Sequence, residues 1–346
     1  MKESTRPQKT ASNQKSRLPL IASGDMERMA ALALATGLNV LPSAIRTRVI
    51  HQSSRMVGAL WHKTNRGAVR RVRHHLQYLF PDQDNKLESL VRDQLTLSGW
   101  NALIANLLPS LRDEHVASLL QIEGLHHVDE IRRRNQPVLL LGFHYGAYGY
   151  AIVAALTARG YPTRLVAYGA ANAEPARTSY LYRKLYWPRL QRVNRWVQTI
   201  AIDPDKQSQP ELYETLEKKN ELVYLLSDQY FIVPPGQDCP PHLVQLRLLN
   251  HSVHVDISGI QLAKQMGGQP LTAIPVQHGH RPRILIEPLE WTSEGTSTAD
   301  IAQDLQAYLL RLQEHLLEYP AFWRELRRSE LLPRLGVFES EESAGE

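Results

Sequence analysis

The chain has 346 residues, with 40 lysines and arginines against 35 aspartates and glutamates, and a formal net charge of +5. Its 43% hydrophobic and 22% charged residues are ordinary for a folded protein, and its length suits one large α/β domain or two smaller ones. The single cysteine, Cys239, excludes an internal disulfide framework.

The positive charge is concentrated in the N-terminal third. No carboxylate lies between Arg28 and Pro81, a stretch that carries nine lysines and arginines. Such a field favours a phosphate-rich or acidic partner: an anionic membrane surface, an acidic carrier protein or a nucleic acid. A solvated basic face with no partner fits as well. Nucleic acid is disfavoured as a partner, because the chain has no recognisable reading motif and no run of stacking aromatic residues.

No segment reaches the roughly 18 consecutive apolar residues that a membrane-spanning helix needs. The longest apolar helix candidate, Met29 to Leu41, is too short and is followed by Pro42. Arginines follow it, which is typical of a helix lying in the membrane interface. A core helix that docks on the domain explains the pattern equally well.

The chain divides into four regions. We predict a disordered basic tail over residues 1–24, an amphipathic helical region over 25–115, an α/β domain over 116–330 and an acidic tail over 331–346. Apolar residues at three- and four-residue spacing predict a pair of basic helices between Arg46 and Leu79, and a further helix over Lys86 to Leu108.

The α/β region alternates strands and helices. Strands are predicted at 120–124, 138–142, 163–168, 199–202 and 222–226, with helices at 125–134, 148–158, 177–196 and 210–219 between them. This alternation predicts a mainly parallel sheet flanked by helices. Beyond it we predict a hairpin over 244–257, a helix over 258–266, a strand pair at 271–277 and 283–288, a helix over 298–317 and a last helix around Trp323.

His144 is the best placed titratable group for a site. The apolar strand Val138 to Gly142 delivers it onto a glycine-rich turn at the strand's carboxyl end, where ligands usually bind in open α/β sheets. A core or turn histidine bonded to backbone is the alternative on this stretch alone.

Other kinds of chemistry lack a convincing pattern. There is no nucleophile elbow, no P-loop and no dinucleotide fingerprint. The pairs His251/His254 and His278/His280 resemble metal half-sites, but chance spacing explains them better among fourteen histidines. We expect neither a metal nor a bound cofactor.

The order of the pieces resembles the lysophospholipid acyltransferase superfamily, and more narrowly the lipid A late acyltransferases. The resemblance spans about Arg66 to Arg328, and its motifs are individually weak but share the family's order and spacing. Six stretches carry it: Ala68 to Asp82, Gln121 to Gly146, Leu216 to Phe231, Gln245 to Val253, Gly259 to Val276 and Glu318 to Arg328.

The resemblance implies a membrane-associated enzyme at the cytoplasmic face of the inner membrane. It implies transfer of a fatty acyl group from acyl carrier protein or acyl-CoA to a hydroxyl of a glycolipid or lysolipid acceptor. In such chemistry a histidine takes the hydroxyl proton as the oxygen attacks the thioester carbonyl. The resemblance gives this role to His144.

One departure from the family pattern matters. The family's H-x4-D/E motif places a carboxylate five residues after the histidine, where this chain has Gly149. Asp228 ends a parallel strand at the same sheet edge and is the best candidate for a replacement, which requires the two side chains to lie within about 4 Å of each other. The alternative is a catalytically impaired homologue that acts as a lipid-binding or scaffold protein.

Several further residues are candidates for substrate binding. Tyr145 and Gly146 adjoin the histidine. Basic side chains could bind acceptor phosphates, or could be solvated charges: Arg164, Arg177, Arg183 and Lys184. Arg247 lies near Leu248-Leu249-Asn250, which stands where the family has a Phe-Phe-Gly element.

Overall fold

The computed structural model describes residues 29, 33–34, 36–147, 149–168, 179–202, 209–234, 236–278 and 281–337. Residues 1–24, for which a disordered tail is predicted, lie outside this part of the chain. The α-helices of the described residues are α1 Ser43–Thr64, α2 Arg66–Leu79, α3 Leu87–Leu107, α4 Asp113–Ala117, α5 Leu125–Arg133, α6 Gly149–Ala158, α7 Trp187–Leu190, α8 Pro210–Lys218, α9 Ser258–Gln265, α10 Thr298–Glu318 and α11 Leu331–Arg334.

Two sheets organise the α/β region. Their strands are β1 Gln121–Glu123, β2 Val138–Gly142, β3 Thr163–Tyr168, β4 Gln198–Ile202, β5 Leu222–Leu226, β6 Tyr230–Phe231, β7 Leu243–Leu248, β8 His251–Asp256, β9 Gln269–His278 and β10 Arg281–Pro288. The larger sheet has the order β1-β10-β9-β2-β5-β3-β4, and its neighbours are parallel except for β9 with β10. The smaller sheet, β6-β8-β7, is antiparallel.

The predicted fold class is confirmed: a mainly parallel sheet flanked by helices follows a basic helical region. Strand β2 is buried along its whole length between β9 and β5, which explains why it reads as a continuous apolar run. Its side chains alternate between the two hydrophobic cores on the faces of the sheet. Leu139 and Leu141 enter one core with α10, and Leu140 enters the other with α6.

The N-terminal helices share these two cores with the sheet. Residues of α2 join the core that contains α10, whereas Ile50 of α1 joins the core that contains α6. Helix α1 crosses α3 closely through two glycines. A Cβ at Gly58 would lie 2.8 Å from the backbone of Thr96, and one at Gly99 would lie 2.7 Å from the carbonyl of Ser54. The helical region is therefore packed firmly against the sheet.

The candidate interfacial helix is described only in part. Within Met29 to Leu41, the side chain of Leu38 is buried in the α6 core, and Leu34 and Leu41 pack against the same core. These contacts favour the docked alternative for its C-terminal half. No helix among the described residues combines the length and apolar character needed to cross a bilayer.

Three segments differ from the sequence predictions. The stretch predicted as one helix over 177–196 is helical from 180 to 195 but changes type along its length, with a π-helical segment Tyr182–Tyr186, then α7 and a 3₁₀ segment Gln191–Arg195. The folded part also extends past residue 330, because Leu331, Leu332 and Leu335 are buried in the α10 core. Around Trp323 the chain forms two 3₁₀ turns, Pro320–Phe322 and Arg324–Arg327, instead of a helix.

Candidate active site

His144 and Asp228 meet at the carboxyl edge of the parallel sheet. Strands β2 and β5 are neighbours, with Gly142 opposite Leu226, and each is followed two residues later by one of the pair. The ring Nδ1 of His144 lies 2.8 Å from Oδ1 of Asp228. The proximity that the sequence predicts is therefore confirmed. We call these two residues the His144–Asp228 pair.

The carboxylate of Asp228 holds residue 144 in two ways. It accepts the ring N–H, and each of its oxygens also lies 2.8 Å from the main-chain N–H of His144. The Asp228 side chain is fully buried, whereas the His144 side chain keeps 12% exposure. Because a carboxylate only accepts hydrogen bonds, this contact places the ring proton on Nδ1 and leaves the lone pair on Nε2.

Residues from near the C-terminus complete the histidine turn. Tyr145 forms an antiparallel bridge with Trp323. On one side of it the N–H of Arg324 donates to the carbonyl of His144 at 2.8 Å, and on the other the N–H of Gly146 donates to the carbonyl of Phe322 at 2.8 Å. We call Pro320 to Arg328 the 320–328 segment. It extends the turn as a short strand would.

Buried polar side chains of α2 and α3 hold the 320–328 segment in turn. His75 bonds through Nδ1 to the carbonyl of Leu326 at 2.8 Å, and the amide of Gln94 donates to the carbonyl of Trp323 at 2.8 Å. Asn101 donates directly to the carbonyl of Gly146 at 3.2 Å. The basic helical region therefore positions the turn that carries His144.

The polar groups of Tyr145 and Gly146 are bonded to neighbouring parts of the protein. The Tyr145 side chain is 1% exposed and its hydroxyl lies within hydrogen-bond distance of the carbonyls of His315 and Tyr319. Burial raises the pKa of this phenol far above its usual range. Since its polar atom is buried and already bonded, Tyr145 supports the turn, which corrects the expectation that it contacts substrate.

The backbone conformation at residue 146 requires a glycine. Its φ is +59°, and a Cβ there would lie 2.7 Å from the side chain of Pro275. Both of its main-chain polar groups are bonded, the N–H to Phe322 and the carbonyl to Asn101. Its main-chain polar groups are thus bonded within the protein, and the substrate contact of Gly146 stays a prediction.

Arg164 lies at the wrong edge of the sheet for a contact with His144. It is the second residue of β3 and pairs in register with Val223 near the start of β5. Its guanidinium forms ion pairs with Glu211 and Glu221. The expectation that it binds acceptor phosphates beside the histidine is therefore corrected: Arg164 neutralises carboxylates at the amino ends of the strands.

For the other basic residues, the role in substrate binding stays a prediction. Arg183 and Lys184 are exposed on the π-helical segment Tyr182–Tyr186. Arg247 is exposed on β7, where its main chain exchanges two hydrogen bonds with the side chain of Gln306. Arg177 lies outside the described residues.

Gly149, where the family motif has an acid, is the first residue of α6. A Cβ at this position would meet Leu226 at 3.7 Å and Tyr224 at 3.8 Å, which are ordinary contacts with carbon atoms. A carboxylate would thus stand beside apolar groups. The acid beside the histidine ring comes instead from Asp228 on the neighbouring strand.

A basic cleft of about 400 Å³ adjoins the turn, between α2, α3 and the 320–328 segment. We call it the arginine cleft, after the charged residues among those that line it: Arg71, Arg324, Glu325, Arg327 and Arg328. Sequence reasoning did not single out these residues as a site. The resemblance of Glu318 to Arg328 to the family's last block was the available signal.

Metal-ligand geometry is lacking in the part of the chain that the structure describes, where no cluster of three histidine, cysteine, aspartate or glutamate side chains could hold an ion. His251 and His254 lie three residues apart on β8, so they point to opposite faces of the strand. The ring of His251 stacks on Tyr78 instead. His280 lies outside the described residues.

Comparison with known proteins identifies the family. None of the curated proteins matches the chain. The family model described as bacterial lipid A biosynthesis acyltransferase matches residues 22–234. This match covers more than half of the sequence and includes both members of the His144–Asp228 pair, so the chain belongs to the bacterial lipid A biosynthesis acyltransferase family.

Proposed function

We propose that the protein transfers a fatty acyl chain from acyl carrier protein or acyl-CoA to a hydroxyl of a lipid A-like or other glycolipid or lysolipid acceptor, with His144 as the general base. The observation that carries this proposal is the 2.8 Å contact between Nδ1 of His144 and the buried carboxylate of Asp228. Family membership supports acyl transfer to a lipid A-like acceptor but leaves the donor open.

The geometry supports a definite sequence of proton movements. Nε2 of His144 takes the proton of the acceptor hydroxyl while that oxygen forms a bond to the thioester carbonyl carbon. The tetrahedral intermediate then expels the thiolate, which receives the proton from the imidazolium as the ester forms. Asp228 stabilises the imidazolium between these two steps and keeps the ring in the productive tautomer.

The oxyanion of the intermediate needs a partner other than the N–H groups of residues 144 and 146, which are already bonded. The N–H of His144 is bonded to Asp228 and that of Gly146 to Phe322. Arg324 is the candidate that we favour, because its main chain bonds to the carbonyl of His144 and its residue lines the arginine cleft.

We further propose that α1 rests on an anionic membrane surface, at the cytoplasmic face of the inner membrane. One face of this helix is buried through Arg46, Ile50, Ser54 and Gly58. The opposite face, which we call the outer face of α1, mixes exposed apolar and basic side chains: Ile45, Arg48, Arg55, Met56, Leu60 and Lys63. Met56 is 73% and Leu60 57% exposed, in keeping with insertion between headgroups that the basic residues attract.

The catalytic proposal is tested with a radiolabelled acyl thioester and a lipid acceptor. We expect His144→Ala to abolish transfer, and Asp228→Asn to lower the rate by about 10⁴, as for the orienting acid of a serine protease. His126→Ala is the matched control, since this exposed histidine lies on α5. Unchanged transfer by His144→Ala would remove the residue from the mechanism.

The same assay separates the enzyme from its rival. A lipid-binding or scaffold homologue is suggested by Gly149, at which the motif acid is missing. That function predicts lipid binding by the wild-type protein and no acyl transfer that depends on His144. Transfer that depends on His144 excludes it.

A further inference from the structure

We propose that the arginine cleft binds the phosphate group of the acceptor's headgroup and so places the acceptor hydroxyl beside His144. This inference rests on the proposed function, because it concerns the substrate of the same site. It adds a binding subsite, a chemical class for its ligand and the residues that hold it.

The cleft carries an excess of positive charge. Four arginines line it, against the single carboxylate of Glu325, which forms an ion pair with Arg328 at 2.9 Å. The guanidinium of Arg327 lies over the ring of Trp61, 5.0 Å from its centroid, and within the described part of the chain no ion pair joins it to a carboxylate. Among the described residues, Arg71 forms no ion pair with a carboxylate.

These charges face a common space. Burial lowers the pKa of the Arg327 guanidinium, and the like charges of Arg71 and Arg324 lower it further. Arg324 and Arg327 are half-buried, whereas Arg71 is exposed at the mouth of the cleft. Like charges so close together repel one another, and an anion that joins them relieves this repulsion. Guanidinium groups bind phosphate oxygens through paired, charge-assisted hydrogen bonds, so phosphate is the anion that this set fits best.

One polar atom of the cleft residue Asn101 has no hydrogen-bond partner among the residues that the structure describes. Asn101 lines the cleft and donates its amide N–H to Gly146, while its Oδ1 is buried and accepts no hydrogen bond. Through its amide, Asn101 ties the wall of the cleft to the turn that carries His144. Since Gly146 is two residues from His144, the cleft would hold a phosphorylated polyol headgroup with its hydroxyls near the base.

The position of the cleft favours the headgroup over the donor as the source of the phosphate. Asn65, which joins α1 to α2, lines the cleft, and Trp61 at the end of α1 supports Arg327. Leu60, next to Trp61, belongs to the outer face of α1. The cleft therefore lies beside the surface that we assign to the membrane, where lipid headgroups are concentrated.

The test is equilibrium binding of a soluble phospholipid to the full chain by calorimetry. The probe is dihexanoyl phosphatidate below its micelle concentration, which has no hydroxyl to acylate. We expect Arg71→Gln and Arg327→Gln each to weaken its binding about tenfold, the loss typical of one charged hydrogen-bonding partner. Arg70→Gln, which removes an equal charge from the same helix outside the cleft, should change it little.

Binding measurements with other ligands identify which chemical group the cleft recognises. Dihexanoylglycerol, which lacks the phosphate, should bind no better to the wild-type protein than to the variants. Inorganic phosphate that competes with the phosphatidate would show that the phosphate itself is recognised. Equal affinity of the wild-type, Arg71→Gln and Arg327→Gln proteins for the phosphatidate would overturn the proposal. If coenzyme A binds instead, with the same loss in both variants, the cleft belongs to the donor and the headgroup assignment is wrong.

Binding and turnover separate this inference from the proposed function. His144→Ala should keep the affinity for dihexanoyl phosphatidate, because it removes no cleft residue. Phosphatidate binding that depends on the arginines, without acyl transfer, would refute the proposed enzymatic activity and support the phosphate site in the arginine cleft. Acyl transfer that is unchanged in the Arg71→Gln and Arg327→Gln variants would support the enzymatic activity and refute the acceptor site in the arginine cleft. Arg327→Lys, which retains the charge, should recover part of the binding if Arg327→Gln folds poorly.

Discussion

At the scale of single residues, the carboxylate beside His144 comes from a different strand than the family motif predicts. An acid five residues after the histidine would belong to the same loop and helix. Asp228 instead reaches the ring from the end of β5, and it also anchors the main chain of residue 144. Orientation of the ring therefore depends on the pairing of β2 with β5, whose register brings Gly142 opposite Leu226.

Two glycines near His144 should respond in opposite ways to alanine. Gly149 has ordinary space for a Cβ and no positive φ, so Gly149→Ala should stabilise the protein by about 0.4–1 kcal/mol and leave turnover intact. Gly146 has a φ of +59° and a blocked Cβ position, so Gly146→Ala should cost about 1–3 kcal/mol or more and lower turnover. Urea unfolding and acyl-transfer rates measure both effects. Similar behaviour of the two variants would contradict this account of the turn.

At the scale of secondary-structure elements, the 320–328 segment links the N-terminal helices to the histidine turn. The carbonyls of Leu326 and Trp323 accept hydrogen bonds from α2 and α3, while the N–H of Arg324 and the carbonyl of Phe322 bond to residues 144 and 146. A shift of either helix would thus move His144 without touching it. This arrangement gives the basic helical region a role in the site besides any contact with lipid.

One of these helix contacts is sensitive to pH. Burial lowers the pKa of His75 below its ordinary value of 6.5, helped by the nearby charges of His74 and Arg71 and opposed by the hydrogen bond to Leu326. Below about pH 6.5 the unfolded chain then binds a proton that the folded chain does not, so the free energy of unfolding falls as the pH falls towards the lowered folded pKa. Above that window this contribution is constant.

His75→Gln should reduce this dependence, because glutamine can still donate to the Leu326 carbonyl but does not titrate. Urea unfolding at about pH 7.5 and about pH 5.5 should show a smaller loss of stability for the variant than for the wild type. Other histidines with lowered pKa values remain in both proteins and cancel in the comparison: His115, His251, His254 and His315. Identical losses would mean that His75 contributes nothing to the acid sensitivity.

At the scale of the whole molecule, the outer face of α1 should decide membrane attachment. Replacing its three basic residues, Arg48, Arg55 and Lys63, with glutamine should weaken binding to vesicles that contain anionic phospholipid. The effect should shrink as salt rises past about 0.15 M, because exposed charges are then screened. Vesicle co-sedimentation over a salt series measures it.

A second triple variant controls for net charge. It removes three exposed cations from other elements: Arg133, Arg192 and Lys218. We expect this variant to keep most of the vesicle binding. Equal weakening by both triple variants would mean that net charge, and not the outer face of α1, attracts the membrane.

Local patterns in the sequence were enough to predict the sheet and to place Asp228 at the same edge as His144. Strands β2 and β5 begin and end where their apolar runs do, and parallel strands share an edge. The sequence could not reveal the role of the 320–328 segment, since its contacts to residues 144 and 146 join parts of the chain far apart. The edge at which Arg164 lies followed from the sequence, since it is the second residue of the predicted strand 163–168, but its ion pairs with Glu211 and Glu221 did not.

The bridge between Tyr145 and Trp323 also sets an order in which the site is made. The ribosome adds residue 323 long after β2 and β5, which are both complete once residue 226 has been added. A nascent chain can therefore pair His144 with Asp228 while the turn still lacks its main-chain partners. Full alignment of the histidine has to wait until the 320–328 segment has left the exit tunnel, so the proposed activity arises later in synthesis than the pairing of the two strands.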